Sequence, residues 1–472
     1  MKNFYGYLDT ISSEKKKKFG ITYTPLAIVE YINTTVLKTW REDRPPRVLD
    51  PCCGTGVFLH DIAKKISDRW GIPLPEVLKD YIYGFEIDAA AAKVCETNLP
   101  GATIRVCDSL KEEYDFCDII VTNPPYVRIQ NLPDEQALYL QENFSFCKGD
   151  TDLYIAFLEK FASSKKVVGL ICANSWIRNK STKLLRNSLY NNNAILRLVD
   201  LKDTQVFEGV QTYPSIMILT PQKNLILEYS QNMRAPLREI AYKDSSSERL
   251  FLGLDAPAPG STSILDICDI KVGLATLCDG VYFGEVLENK GKLCLFKNKY
   301  DTFLIETAIL KKCIKASKIS NVKLNTYVIF PYDQENKLLT ENFIKKTYPK
   351  AYDYLTEKKE KLLDRDRGKM PKDKWYGFGR TQGLNNNFEK FLIPPFQKER
   401  LQLRHSLKNE YYISGYAAIP KNGYNLETVR QCLESDKLFS WIEDTGKTMR
   451  GGWVGLSKEV FKNYKFNLKE II

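Results

Sequence analysis

The first half of the chain alternates short apolar runs with stretches whose apolar residues recur at helical spacing. Strands are predicted at residues 47–50, 81–86, 103–107, 119–121, 167–172 and 215–219, and the first is followed by the helical pattern of residues 57–63. Strands that alternate with helices are typical of a parallel sheet covered on both faces. The pattern therefore predicts an α/β fold with a doubly wound, Rossmann-like sheet.

This alternation fades after about Pro221, and a second kind of structure follows. Residues 255–262, Asp-Ala-Pro-Ala-Pro-Gly-Ser-Thr, have the composition of a linker. A chain of 472 residues is long enough for two or three domains. We expect two domains, residues 1–254 and residues 255–472, with the second of the α+β class.

Three of the predicted strands end in an acidic residue, namely Asp50, Glu86 and Asp108, and the first is followed by a turn that contains Gly54 and Gly56. Two glycines let the backbone turn sharply and approach a ligand. Ligands of such sheets bind beyond the carboxyl ends of the strands. Each acid alone is typical of a cap or turn residue, but the ordered set indicates a nucleotide-type site.

The fourth strand ends in Asn123-Pro124-Pro125-Tyr126, which we call the NPPY segment. Each proline fixes φ and lacks a backbone N–H, so the segment is stiff and its carbonyls have few partners. It presents an amide, a free carbonyl and an aromatic ring, which suit a planar ligand with an amino group. The alternative is a strand end followed by a plain Pro-Pro turn.

At this point the chain resembles the TaqI-type gamma class of S-adenosylmethionine-dependent adenine-N6 DNA methyltransferases. In that family the cofactor motifs come first, the NPPY segment follows, and a DNA-recognition domain comes last. Residues 20–25, Gly-Ile-Thr-Tyr-Thr-Pro, resemble the family's N-terminal motif, and residues 50–56, Asp-Pro-Cys-Cys-Gly-Thr-Gly, resemble its glycine loop. The resemblance implies a class I methyltransferase sheet with a second, target-recognition domain.

The resemblance also implies roles for individual residues. Glu86 would hold the ribose hydroxyls of the cofactor, Ile87 would pack on its adenine ring, and Asp108 would accept from its amino group. The implied residues for S-adenosylmethionine are Thr22, Tyr23, Thr24, Asp50, Cys52, Gly54, Gly56, Glu86, Ile87, Asp108, Ser109 and Asn123.

The implied catalytic residues are Asn123, Pro124, Tyr126 and Phe207. Asn123 and the Pro124 carbonyl would accept hydrogen bonds from the target amine, and Tyr126 and Phe207 would stack on the two faces of a flipped-out base. No histidine base is expected, because catalysis here is positioning and polarisation. The alternative for Phe207 is an ordinary core phenylalanine.

The second half has a basic segment with interspersed aromatic residues, residues 345–404. The whole chain has a formal net charge of +11, which favours a polyanionic partner. A basic stripe with aromatics suits double-stranded DNA, although an exposed helix surface has a similar composition. The DNA-binding candidates are Arg365, Arg367, Trp375, Tyr376 and Arg380.

Composition limits the compartment and the chemistry. Twelve cysteines without metal-type spacing and only two histidines predict reduced thiols and no metal site. No apolar run is long enough for a membrane span, and the N-terminus lacks the apolar core of a signal peptide. We expect a cytoplasmic monomer.

Other functions are compatible with an NPPY segment. It also serves methylation of cytosine N4, of the guanine amine in ribosomal RNA, and of protein glutamine. A non-catalytic DNA-binding subunit would need neither the glycine loop nor the NPPY segment. No fused nuclease motif is evident, whereas a separate restriction endonuclease acting on the same site is compatible with the sequence.

Overall fold

The computed structural model describes residues 4, 6–7, 11–12, 24–149, 151–202, 204–207, 213–253, 261–321, 325–449 and 451–468. The chain divides into two compact units, Met1–Ala256 and Pro257–Ile472. Most of the predicted linker, residues 254–260, lies outside the described residues. The roles assigned to the two domains stay predictions.

The first unit is built on one large sheet and the helices that cover it. Its strands are β1 Val48–Asp50, β2 Ile82–Glu86, β3 Thr103–Val106, β4 Ile119–Thr122, β5 Val167–Ala173, β6 Ile195–Asp200, β7 Pro214–Leu219, β8 Ile226–Ser230 and β9 Arg238–Ala241. Its helices are α1 Leu26–Thr39, α2 Val57–Trp70, α3 Leu74–Tyr81, α4 Ala89–Asn98, α5 Asp134–Asn143, α6 Tyr154–Ser163, α7 Ser175–Arg178, α8 Lys183–Asn191 and α9 Ser247–Leu250.

The strands of this sheet are ordered β3-β2-β1-β4-β5-β7-β6-β8-β9. Strand β1 pairs in parallel with both β2 and β4, and β5 joins β4 in parallel. Strand β7 lies between β5 and β6 and is antiparallel to both. The predicted Rossmann-like fold is therefore confirmed, and the carboxyl ends of β1, β2, β3 and β4 meet at one edge.

The central strands are buried on both faces, which explains their continuous apolar sequences. Every residue of β1, β4 and β5 is buried. Helices α1 and α2 pack on one face of the sheet, and α6 and α8 pack on the other. Two apolar cores thus hold the strand ends of the site in a fixed register.

The sheet extends further along the chain than the sequence predicted. Strand β8 pairs in parallel with β6, and β9 closes the edge in antiparallel orientation. Both strands expose part of their residues, so they lack the long apolar runs that mark the central strands.

The second unit mixes short helices with four small sheets. Its strands are β10 Thr262–Ser263, β11 Cys268–Val272, β12 Phe283–Lys290, β13 Leu293–Asn298, β14 Thr302–Glu306, β15 Leu310–Lys315, β16 Thr326–Ile329, β17 Lys390–Ile393, β18 Phe396–Gln397, β19 Arg404–Ser406, β20 Tyr411–Ile413, β21 Tyr416–Pro420, β22 Lys447–Met449, β23 Trp453–Gly455 and β24 Lys465–Phe466. Its helices are α10 Ile264–Ile267, α11 Asp279–Tyr282, α12 Glu341–Thr347, α13 Pro349–Glu357, α14 Lys359–Leu363, α15 Arg365–Gly368, α16 Leu426–Leu433, α17 Asp436–Thr445 and α18 Lys458–Asn463.

These strands form sheets in the orders β10-β24, β11-β21-β17-β19, β14-β13-β12-β16-β15-β20 and β18-β23-β22. The α+β class predicted for this region is confirmed. Among the described residues, every helix is too short or too polar to cross a lipid bilayer.

The contact between α1 and the sheet gives a test of this packing. A Cβ at Gly169 in β5 would lie 2.5 Å from Val36 Cγ1 and 2.7 Å from Ile32 Cγ2, both on α1. Gly169→Ala should therefore push α1 away and destabilise the protein by about 1–3 kcal/mol. The measurement is the urea midpoint of unfolding. Lys64→Ala, at an exposed position of α2, is the control and should shift the free energy of unfolding by less than about 0.5 kcal/mol.

Candidate active site

A pocket opens at the edge where β1, β2, β3 and β4 end. Most of the predicted cofactor residues line it, and Pro125 of the NPPY segment lies there too. The predicted residues that the structure brings together here are Thr24, Asp50, Cys52, Gly54, Glu86, Ile87, Asp108, Ser109 and Asn123. Thr22 and Tyr23 lie outside the described residues.

The glycine loop adopts backbone angles that favour glycine. Gly54 has φ +52° and Gly56 has φ +92°. A Cβ at Gly56 would lie 2.8 Å from both Cys95 Sγ and Leu99 Cδ1 of the α4 region. Gly56 does not line the pocket. Its position is needed for close packing of the loop, while Gly54 faces the ligand space.

Glu86 ties the glycine loop to the end of β2. Its Oε2 accepts from the Gly54 backbone N–H at 2.9 Å, and its Oε1 accepts from the Asp88 N–H at 2.9 Å. Burial nevertheless raises the pKa of Glu86 above its usual range. A carboxylate held this way keeps free lone pairs on both oxygens, which can accept from a pair of ligand hydroxyls.

Asp50 is the most perturbed acid at the pocket. It is almost fully buried at the end of β1 and accepts from the Cys52 N–H at 3.0 Å. Burial raises the pKa of Asp50 to about 7. Burial, with the nearby charges of Asp50 and Glu86, also raises the pKa of the Cys52 thiol, so this side chain is a neutral part of the wall.

Two further pocket residues combine polar and apolar surface. Asp108 accepts from the Leu110 N–H at 3.2 Å and caps the short helical turn that begins at Ser109. Ile87 is 51% exposed although it is a large apolar side chain. An exposed isoleucine side chain can pack on a flat ring, and the two acids beside it can accept hydrogen bonds from the polar groups of that ring.

The NPPY segment is held in place by hydrogen bonds on both ends of its amide. Asn123 Nδ2 donates to Thr24 Oγ1 at 2.9 Å, and the Tyr126 hydroxyl donates to Asn123 Oδ1 at 2.7 Å. Burial raises the pKa of Tyr126 well above its usual range, so the hydroxyl keeps its proton. The amide oxygen thus faces a donor within its own loop.

Phe207 contacts the NPPY segment. Its ring centroid lies 5.7 Å from that of Tyr126 at an interplanar angle of 53°, and Phe207 is 1% exposed. A ring stacked between two aromatics needs about 3.5 Å on each side, or about 7 Å in total. The two side chains would have to separate by more than 1 Å to admit a base.

Two residues near the N-terminus, Phe4 and Tyr7, also line the pocket, although the sequence patterns did not predict them there. The Phe4 carbonyl accepts from Thr55 Oγ1 at 2.7 Å, and the Tyr7 hydroxyl donates to Asp88 Oδ2 at 2.9 Å. The available signal was the aromatic cluster of residues 4–7 at an otherwise polar end of the chain. The pocket is also lined by Cys107, Gln136, Leu153 and Phe157.

Three of the predicted DNA-binding residues lie in the interior of the second unit. Arg365 is 5% exposed, and its guanidinium donates to four backbone carbonyls at 2.6–2.9 Å. Trp375 is buried and donates to Glu341, and the Tyr376 hydroxyl donates to the Leu339 carbonyl. These placements contradict a role in contacting DNA, because the polar groups are satisfied within the fold.

The other two DNA-binding candidates differ. Arg380 is exposed, with its backbone N–H donating to the Ala275 carbonyl at 3.1 Å, and its role stays a prediction. The backbone of Arg367 lies in α15, and its side chain is outside the described part of the structure.

The raised pKa of Asp50 predicts a pH-dependent affinity for S-adenosylmethionine, the cofactor that the resemblance implies. Asp50 gains its negative charge as the pH rises through about 7, and a carboxylate favours a cationic ligand. Affinity should rise by up to about tenfold between pH 5.5 and 7.5. Calorimetric titration of the wild type and of Asp50→Asn checks this. The same pH response in both proteins would rule out Asp50 as its source.

Comparison with known proteins agrees with this geometry. A family model described as Eco57I restriction-modification methylase matches residues 108–207, which extend from Asp108 through the NPPY segment to Phe207. The type II methyltransferase M.BanIII of Aneurinibacillus aneurinilyticus is 25% identical, and the match covers 82% of this chain and 78% of that protein. The type II methyltransferase M.BstVI of Geobacillus stearothermophilus is 23% identical over 93% of this chain and 89% of that protein.

Solved structures show the same architecture. The type IIL restriction-modification enzyme MmeI, solved in complex with DNA, matches with a TM-score of 0.64 at 13% identity. The match covers 96% of this chain and 69% of that one. The family match and the type II relatives confirm the predicted resemblance to gamma-class DNA methyltransferases of restriction-modification systems, and S-adenosylmethionine is the cofactor that this resemblance implies.

Proposed function

We propose that the enzyme methylates N6 of a flipped-out adenine at a specific site in double-stranded DNA. The observation that carries this proposal is the position of Asn123, which lines the pocket at the carboxyl end of β4 together with the acids and Ile87. An amide oxygen at that edge can accept from an amine placed next to a bound methyl donor. The enzyme would act within a type II restriction-modification system or as an orphan methylase.

The residues of the pocket fit S-adenosylmethionine. Glu86 would accept from the ribose hydroxyls, the exposed face of Ile87 would pack on the adenine ring, and Asp108 would accept from its amino group. The buried carboxyl of Asp50 suits a ligand that brings positive charge. When bound, this cofactor supplies a methyl group on a sulfonium, which is already a good leaving group.

The NPPY segment would orient the target amine. Its nitrogen is a weak nucleophile because the lone pair is delocalised into the ring. Asn123 Oδ1 and the Pro124 carbonyl would accept its two N–H groups and turn the lone pair toward the methyl group. The Tyr126 hydroxyl donates to Asn123 Oδ1 in this structure, and this contact would keep the amide oriented toward the amine.

Base flipping would be supported by the two rings beside the amide. Rotating a nucleotide out of a duplex costs a few kcal/mol. Stacking on Tyr126 and Phe207 would offset this by roughly 1–3 kcal/mol per base. The present ring separation of 5.7 Å is too short for a base between them, so target entry would require one ring to move.

DNA as the partner is supported by the relatives. MmeI was solved in complex with DNA, and the curated relatives are type II methyltransferases. Cytosine N4 is the second candidate target, because its exocyclic amine can be held by the same two acceptors. Asn at the first position of the segment favours adenine, since the cytosine-N4 class more often begins with Ser.

Substitution of the amide tests its role. Asn123→Ala should lower the methyl-transfer rate about 10²–10³-fold, because an oriented acceptor is lost. Cofactor affinity should change little. Radiolabelled methyl transfer and calorimetric titration measure the two quantities. Lys64→Ala, at an exposed position of α2 outside the pocket, is the control and should leave both quantities near their wild-type values. A parallel loss of cofactor affinity in Asn123→Ala would contradict the assigned role.

A second pair of variants separates the ring of Tyr126 from its hydroxyl. Tyr126→Ala should abolish most transfer because a stacking face is lost, whereas Tyr126→Phe should retain most of it. Single-turnover rates measure both. Equal rates in the Ala and Phe variants would show that stacking on this ring is not used.

The methylated nucleoside formed in the reaction identifies the target base. Wild-type enzyme, labelled S-adenosylmethionine and unmethylated genomic DNA should yield N6-methyladenine on nucleoside analysis. If the product were N4-methylcytosine, methylation of an exocyclic amine would still be supported, but the target base would be cytosine instead of adenine. Transfer to RNA or protein instead of DNA would overturn the proposal.

A further inference from the structure

The positive charge of the chain lies in one unit. Residues 257–472 contain 37 Lys and Arg against 26 Asp and Glu, whereas residues 1–256 contain 32 of each. The net charge of +11 therefore belongs to the second unit. Such an asymmetry is the electrostatic signature of a unit that meets a polyanion. The buried Arg365 cannot be the contact, so another surface of this unit has to supply it.

One small sheet of this unit has a buried face and an exposed apolar face. Strand β23 pairs in antiparallel register with both β18 and β22. Gln397 and Val454 are paired and buried on one face. On the other face, Trp453 pairs with Met449, and Phe396 pairs with Gly455 two residues further along β23.

The exposed face concentrates large apolar side chains. Trp453 is 41% exposed, Phe396 is 46% exposed and Met449 is 36% exposed. All six tryptophans lie within the described residues, and Trp453 is the most exposed of them. Apolar residues gathered on one exposed face mark an interaction site rather than a random surface.

A basic loop borders this face. A Cβ at Gly452 would lie 3.9 Å from Lys398 Cε, which places Lys398 beside the tip of the β22–β23 hairpin. Lys398 and Arg400 are exposed, and neither has an ion pair within the described parts of the chain. The acidic residue between them, Glu399, is exposed with φ +67°.

Hydrogen bonds from a buried side chain and from the hairpin backbone hold this loop in place. The fully buried side chain of Gln397 donates from Nε2 to the Pro394 carbonyl at 2.8 Å and accepts at Oε1 from the Gln402 N–H at 2.9 Å. The Leu456 N–H donates to the Pro395 carbonyl at 2.8 Å, which fixes the hairpin to the same strand. The charged and aromatic groups are therefore presented without the entropy cost of ordering a loose loop.

We propose that Phe396, Lys398, Arg400, Met449 and Trp453, the hairpin surface, form a contact site for double-stranded DNA. Some DNA-binding proteins place β-strands in the major groove, where Arg and Lys donate hydrogen bonds to base edges and apolar groups contact the thymine methyl group. Lys398 and Arg400 provide charge that matches the phosphates, and the rings provide apolar contact. The inference rests on the proposed DNA substrate and adds to it the surface that the duplex contacts.

The test compares two hairpins of the same unit in the full-length protein. The DNA sequence that the wild-type enzyme methylates is mapped first. Labelled duplexes that carry this sequence are then titrated with each protein at several salt concentrations. Trp453→Ala should weaken DNA binding about tenfold or more. Lys398→Ala combined with Arg400→Ala should weaken it similarly and reduce the salt slope by about 2. Affinity for S-adenosylmethionine and the thermal midpoint should stay at wild-type values.

The β12–β13 hairpin provides the matched control. Lys290 and Lys292 flank the left-handed Gly291 at its turn, and Leu287 is 50% exposed on β12. Leu287→Ala, and Lys290→Ala combined with Lys292→Ala, should change DNA affinity less than about twofold. An equal loss from the two hairpins would overturn the proposal, because only net charge would then matter.

Three other results would also decide between the proposals. If the wild type methylates DNA while the Trp453 and Lys398/Arg400 variants bind and methylate it equally well, the hairpin surface is not the contact and the proposed function stands. A change of oligomeric state in ultracentrifugation without a loss of DNA affinity would assign the surface to a second copy of the chain. A wild type that neither binds nor methylates DNA would refute the proposed function itself.

Discussion

The parallel pairing of β1 with both β2 and β4 is the constraint on which the candidate site depends. Because these strands run in the same direction, their carboxyl ends meet at one edge. Asp50 and Glu86 are thereby brought beside Asn123, although the chain separates them by tens of residues. The apolar cores on both faces of the sheet keep that edge in register, so the site inherits the rigidity of the most buried part of the unit.

The acids at this edge have a structural task, and the proposed function gives them a chemical task as well. Glu86 accepts from the Gly54 N–H and so fixes the loop, and Asp108 caps a turn. Neither task uses all of the lone pairs on the carboxyl oxygens. Asp50 is buried at a cost that raises its pKa to about 7, which a bound cation would relieve. The acids that fix the loop and cap the turn are therefore the same residues that are proposed to bind the cofactor.

The side chains of the NPPY segment also satisfy one another by hydrogen bonding and packing. The Tyr126 hydroxyl satisfies Asn123 Oδ1, and Phe207 covers the tyrosine ring. A buried amide oxygen without a partner would cost about 1–3 kcal/mol, so this internal bond stabilises the segment without a substrate. In the proposed function, the target amine would meet an amide whose orientation is already fixed. The contact between Phe207 and Tyr126 would have to open for a base to stack between the two rings, as the proposed function requires.

The sequence by itself determined the central strands, the glycine loop, the strand-end acids and the NPPY segment, because each depends on local patterns of apolar residues, glycine and proline. Only the tertiary structure decided which polar residues are exposed. Arg365 looks like a surface cation in the sequence, yet one of its carbonyl partners belongs to Thr276, 89 residues away. Phe4 and Tyr7 reach the pocket for the same reason, since burial and hydrogen-bond partners come from residues that are distant along the chain.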